Sequence, residues 1–203
     1  MASRYARYAL AAAALAATAG CFDEPTPASK TVPEGAKVYL QDKGLKDLSA
    51  HADALKPELV DYVNLDRNAL EAFPSELAAL KGLKWLRLNG NRLSSLPDLS
   101  SLAALRRIYL RANRFTAVPE ALKDLPSLTD VDLSLNPLSE VPQWLVDKKG
   151  LENVSLSETR VSRLPDDLSG WKTLTSLQLG GLKMSAEEMA RIRAALPKVA
   201  IVF

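Results

Sequence analysis

The sequence predicts an α/β solenoid: short parallel strands stacked side by side, with irregular or short-helical connections over the opposite face. Three observations carry that expectation. Aliphatic residues, mostly leucine, recur in one fixed frame through most of the chain. An Asn or Thr occupies one point of that frame in five successive units, at 68, 91, 113, 136 and 159, with spacings of 23, 22, 23 and 23 residues. A proline stands six residues after each, at 74, 97, 119, 142 and 165. A unit that short cannot bury its own apolar face, so the units must stack.

The first element lies outside the repeats. Met1 to Arg7 carries two arginines, Tyr8 to Ala17 is an uncharged and mostly apolar run, and Thr18, Ala19 and Gly20 are small. That is the layout of an export signal over residues 1–20. The run is far short of the roughly 20 residues that span a bilayer. Thr18-Ala19-Gly20-Cys21 resembles a bacterial lipoprotein signal, which implies a lipidated Cys21 as the mature N-terminus. Thr18 stands where that family prefers Leu, and Ala17-Thr18-Ala19 also fits ordinary cleavage after Ala19. Cys21 is the only cysteine. Ordinary cleavage would leave an exposed thiol in an oxidising compartment, whereas lipidation consumes it. The resemblance implies a lipid anchor in the bacterial envelope. Phe22, in place of an Asp, points to the outer rather than the inner membrane under the proteobacterial sorting rule.

Residues 21–36 read as the lipidated cysteine and a flexible tether. Pro25, Pro27 and Pro33 alternate with Ser, Thr and Gly, and few groups there can pack. At about 3.1 Å per residue, fifteen such residues reach roughly 45 Å when extended.

The repeat domain takes residues 37–203: a partial repeat over 37–59, full repeats over about 60–173 and a capping repeat over 174–203. Leu83, Leu86, Leu88, Asn91, Leu93 and Leu96-Pro97 set the frame. Leu128, Val131, Leu133, Asn136, Leu138 and Val141-Pro142 repeat it, as do the units around Asn68, Asn113 and Thr159. Inward aliphatics alternate with outward residues, as on a strand. The Asn stands where the chain leaves the strand, and its side chain can satisfy backbone groups of the adjacent coil. Proline starts the outer segment, where a missing N–H does little harm. Asn68, Asn91, Asn113, Asn136 and Thr159 are therefore expected to form a structural ladder.

Departures from the frame are readable too. Pro97-Asp98-Leu99 lacks one residue, which predicts a tighter outer turn. Lys148 occupies a leucine position, which predicts a looser or more exposed segment there. Trp171 occupies another and is expected in the core. At the far end Ser185-Ala-Glu-Glu188 reads as a capping box opening a helix. Met189, Ile192 and Leu196 share one face of it, Pro197 follows, and Val199, Ile201 and Phe203 alternate as a closing strand.

The pattern LxxLxLxxNxLxxLPxxLxxL resembles that of leucine-rich-repeat proteins, the type with repeats of roughly 23 residues. The resemblance covers nearly all of the chain after the tether. It implies an arc with its parallel sheet on the concave face, and a module that binds a partner there.

Composition excludes some functions. The formal charge of +2 comes from 26 Lys+Arg against 24 Asp+Glu. Without residues 1–20, which hold Arg4 and Arg7, both counts are 24. No basic tract or nucleic-acid-binding signature is present, so no nucleic-acid partner is expected. One histidine, His51, lies in an irregular segment and reads as structural. No zinc-ligand cluster, phosphate loop or nucleophile elbow occurs, so neither enzyme chemistry nor any metal or cofactor is expected. Asp130 and Asp132 are two acids on one strand face with no second cluster in line.

The residues between the inward leucines face the inner curve. They run from Tyr39 and Gln41 through Tyr62, Asn64 and Asp66, then Trp85, Arg87 and Asn89, then Arg107, Tyr109 and Arg111. Asp130 and Asp132 follow, and the face ends small and polar with Asn153, Ser155, Ser157, Ser176 and Gln178. Tyr, Trp and Arg dominate interface hot spots because they join large contact area to a polar handle. The candidate partner-binding set is therefore Tyr39, Tyr62, Asn64, Trp85, Arg87, Arg107, Tyr109, Arg111, Asp130 and Asp132. A protein or peptide partner is expected, with a glycan as the other ligand class, and the chain itself is expected to be a monomer. Two alternatives stay open: a cytoplasmic scaffold if residues 1–20 are not an export signal, and an enzyme subunit, for which the residues supply no chemistry.

Overall fold

A computed structural model describes residues 35–203. The expectations for the export signal, Cys21 and most of the tether lie outside those residues. Eight strands form one all-parallel sheet in sequence order. They are β1 (Ala36–Tyr39), β2 (Val60–Asn64), β3 (Trp85–Arg87), β4 (Arg107–Tyr109), β5 (Asp130–Asp132), β6 (Asn153–Ser155), β7 (Ser176–Gln178) and β8 (Ala200–Val202). Strand neighbours in space are therefore neighbours in the chain.

Each strand is short because its unit must turn the corner within 22 or 23 residues. Val63, Leu65, Leu86, Leu88, Ile108, Leu110, Leu133, Leu156 and Leu177 are fully buried beneath the sheet. The outer layer closes on them with Leu77, Leu80, Leu99, Leu102, Leu122, Leu125 and Leu145, none of which is exposed. That layer is built of short pieces: 3-10 turns at Ser75–Ala79 and Glu120–Leu122, and a single helical turn, α1, at Gln143–Asp147. Each opens directly after a proline in extended conformation. The shortened unit at Pro97 has no helical turn. Asp98 accepts the Ser100 N–H instead, a tight Asx turn.

The Asn ladder welds the units together. The Asn113 amide donates to Leu88 O (2.9 Å) and Leu110 O (3.0 Å) and accepts from the Leu93 N–H (3.0 Å). Asn91 and Asn136 repeat that pattern, and Asn68 makes it with the partial first repeat. One side chain thus satisfies three buried backbone groups on two coils. Thr159 donates only to Leu156 O (2.8 Å) within its own coil. A hydroxyl has one proton and a shorter reach, so the side-chain link to the preceding unit ends there.

The residue before each ladder position adopts a left-handed backbone: Arg67, Gly90, Ala112, Leu135 and Glu158, with φ of 53–64°. Only one of these five is glycine. The geometry recurs in every turn although the sequence does not mark it.

Two expectations need correction. The segment at Lys148 is not loose. It follows α1, and the Lys148 ammonium donates to Leu125 O (2.7 Å) and Lys123 O (2.9 Å) of the preceding unit. A long stem lets lysine lie over the outer layer and cap carbonyls that leucine would leave bare. Burial pulls its pKa below the ordinary lysine value, with Asp124 opposing. Ser185-Ala-Glu-Glu188 is only half a capping box. The Ser185 hydroxyl accepts the Glu188 N–H at the start of α2 (Ala186–Ala195), but the Glu188 carboxylate does not return to the cap. It accepts the Leu164 N–H (2.9 Å) and both arms of Arg191, which in turn donates to Leu164 O and Asp166 O. The cap helix is bolted to the last coil by that pair.

Candidate functional site

The strand register sorts the concave side chains into rows. One row runs Lys37, Tyr62, Trp85, Arg107, Asp130, Asn153, Ser176. The next runs Tyr39, Asn64, Arg87, Tyr109, Asp132, Ser155, Gln178. Adjacent strands lie about 4.8 Å apart, so rings opposite each other in one row, such as Tyr62 and Trp85, or diagonal between rows, such as Tyr39 and Tyr62, come into contact.

An aromatic ladder occupies the β1–β3 end. The Tyr39 and Tyr62 ring centroids are 5.4 Å apart and tilted; Tyr62 meets Trp85 edge-on at 6.0 Å. Tyr39 and Trp85 remain 47% and 39% exposed, among the largest exposed apolar side chains of the described residues. Burial raises the Tyr62 pKa above the ordinary phenol value, against the pull of Arg87, so this hydroxyl stays neutral.

Two of the three candidate arginines are paired within the face. Arg87 is paired with Asp66 at 2.6 Å and lies over the Tyr109 ring at 5.3 Å. Asp66 itself is only 2% exposed: it faces the arc but serves as an anchor, accepting also the Asn89 N–H. Arg107 stacks on Trp85 at 4.4 Å and reaches Asp130 at 3.5 Å. Asn64 is partly spent too, its side-chain oxygen taking the Asp66 N–H. Arg111 remains exposed and donates to Ser134 Oγ at 3.0 Å. The pairing follows from register: Arg107 and Asp130 stand opposite each other on adjacent strands, and Arg87 lies one row from Asp66, so each acid and base fall within reach, which a one-dimensional reading cannot see.

The β4–β7 end is different. Tyr109, Asp130, Asp132, Asn153, Ser155 and Gln178 line a shallow concavity of about 270 Å³. Its floor is small because Ser155 and Ser176 replace the rings and guanidiniums found upstream. Among the described residues, no three His, Cys, Asp or Glu side chains are placed to hold a metal ion. No described helix is long and apolar enough to cross a membrane.

Comparisons with known proteins bear on this arrangement. Residues 58–115 match a family model described as leucine rich repeat. The fold is a leucine-rich-repeat solenoid. A solved leucine-rich-repeat protein of Leptospira interrogans is 29% identical, with a TM-score of 0.60 over 71% of this chain and 43% of its own. Geranylgeranyl transferase type-2 subunit alpha of Bos taurus is 36% identical over 98 residues, and a probable inactive serine/threonine-protein kinase of Dictyostelium discoideum is 36% identical over 69. The chain spans 17% and 2% of the lengths of those two relatives. Such short matches reflect shared repeats, and leucine-rich-repeat domains are usually non-catalytic interaction scaffolds.

Proposed function

We propose that this protein is a non-enzymatic interaction module that holds a protein or peptide partner on its concave face. The observation that carries the reading is the ring ladder Tyr39–Tyr62–Trp85, its two outer rings exposed, braced at Trp85 by Arg107 and Asp130 from the following strands. Rigid aromatic side chains offer apolar area at low cost in side-chain entropy, which suits them to anchor a partner. The internal ion pairs hold the face in one arrangement before binding, so little ordering remains to oppose association. Tyr62→Ala, Trp85→Ala and Tyr109→Ala should leave thermal stability nearly intact and weaken capture of a partner from envelope extract. Capture unchanged by all three would refute a concave-face site.

The reading extends to location. The Thr18-Ala19-Gly20-Cys21 sequence supports export and a lipid anchor on Cys21, with the repeat domain tethered to the bacterial envelope and the outer membrane favoured. Two or more acyl chains make such an anchor stable, since each buried CH₂ contributes about 0.8 kcal/mol. Palmitate labelling abolished by Cys21→Ser, and processing blocked by globomycin, are the expected results. An unprocessed, unlabelled chain would reassign it as a cytoplasmic scaffold.

A further inference from the structure

Resting on that reading, we infer that the concavity over β4–β7 is a pocket for a basic side chain, arginine above all, presented by the partner. Its lining carries an unbalanced charge. Asp130 is neutralised by Arg107 and held by Asn153 and Thr129. Asp132 has no ion pair of its own among the described residues: Ser134 donates both its N–H and its hydroxyl to Oδ1, Arg111 reaches only that hydroxyl (3.0 Å), and Oδ2 has no hydrogen bond. On the downstream side the row continues with Ser155 and Gln178, which bring no cation. A carboxylate fixed in place by two donors, with one oxygen open, is ready to accept a charge-assisted hydrogen bond.

The remaining walls suit a guanidinium. Tyr109 stands beside Asp132 in register; Arg87 lies over one face of its ring, and the rest of the ring lines the concavity as an aromatic wall. Gln178 and Ser155 add acceptors on the opposite side. At about 270 Å³ the space is smaller than the roughly 300–1,000 Å³ that encloses a drug-sized ligand, so it fits a side chain rather than a cofactor. The position also specifies the partner. Three strand spacings, about 14 Å, separate Tyr62 on β2 from Asp132 on β5. Some four residues of extended chain cover that distance at about 3.3 Å each. The partner would set an apolar or aromatic residue on the Tyr39–Tyr62–Trp85 ladder and a basic residue about four positions away.

The test uses the full-length chain and N-acetyl-arginine methylamide as probe, read by amide NMR shifts. Shifts should gather at Asp132, Ser155 and Gln178, and N-acetyl-citrulline methylamide, the neutral isostere, should leave them unmoved. Asp132→Asn keeps the Oδ1 acceptor for Ser134 and should weaken the probe about tenfold, the size of one hydrogen bond to a charged group. Gln178→Lys should abolish binding by filling the pocket with its own cation. No shift with arginine, equal shifts with citrulline, or equal shifts with methyl glucoside that survive Asp132→Asn would overturn the pocket. A random peptide pool selected on the same chain separates the two claims. Binders lost in Tyr62→Ala/Trp85→Ala but lacking basic residues and indifferent to Asp132→Asn overturn the pocket and leave the concave-face reading standing. Binders indifferent to both sets overturn both.

Discussion

The units around Asn91, Asn113 and Asn136 and the unit around Thr159 solve the same problem by different chemistry. In the first three, a buried amide crosses from coil to coil and makes three bonds. At Thr159 the side-chain link is missing, and beyond it a charged clamp takes over: Glu188 and Arg191 of α2 grip the backbone at Leu164 and Asp166. The neutral ladder needs no titratable group, so it holds at any pH. The clamp depends on ionisation, so the attachment of α2 to the last coil should be acid-sensitive. The difference teaches that a solenoid is only as uniform as its inter-unit bonds.

Removing a ladder amide should have the largest effect. Asn113→Ala leaves the Leu93 N–H buried and unpaired, and takes one of two amide bonds from each of Leu88 O and Leu110 O, which keep those from Asn91 and Asn136; a loss of about 2–4 kcal/mol in urea unfolding is expected. A loss near that of Thr159→Ala, about 1 kcal/mol, would erase the contrast. Gly170→Ala comes next. A Cβ there would stand 2.6 Å from Val146 O and 2.9 Å from the Asp147 Cα, backbone that cannot swing aside. About 2–3 kcal/mol should be lost, measured by thermal melting.

Glu188 gives the pH test. The bonds from Arg191, opposed by burial, hold its carboxyl below the usual glutamate value. Its contribution is present above the unfolded-state value near 4.5 and is lost as pH falls through the lower folded value. Glu188→Gln should cost about 1–2 kcal/mol at pH 7 and flatten the acid limb of the stability curve, so that mutant and parent converge at low pH. Parallel curves would mean that the clamp acts by shape and not by charge. The smallest effect is a gain. Thr159→Asn should restore the missing link to Leu133 O and the Leu138 N–H, adding about 1 kcal/mol, and hydrogen exchange at the Leu138 amide should slow.

The ladder, the outer prolines and the inward leucines were legible because each repeats, and repetition turns a weak local signal into a strong one. The left-handed turn before each ladder residue was not, since Arg67, Ala112, Leu135 and Glu158 give no local cue; closure of the unit imposes φ > 0 on residues that disfavour it. Lys148 was misread for a similar reason. Its position in the frame is an apolar one, but the bare carbonyls of Lys123 and Leu125 became visible only once the neighbouring coil was in place. Most of the concave residues were legible as outward-facing. Their mutual commitments were not.

The sequence by itself determined the repeat period, the parallel stack, the buried leucines and the identities of the residues lining the arc, because side-chain alternation along a strand is a local property of the chain. The tertiary structure alone decided which charges on that arc are spent. Register brings Arg87 to Asp66 and Arg107 to Trp85 and Asp130, and it leaves Asp132 with no direct ion pair among the described residues, Arg111 reaching it only through Ser134 Oγ. Those pairings join residues 21–23 positions apart, and only stacking at about 4.8 Å places them within reach of one another.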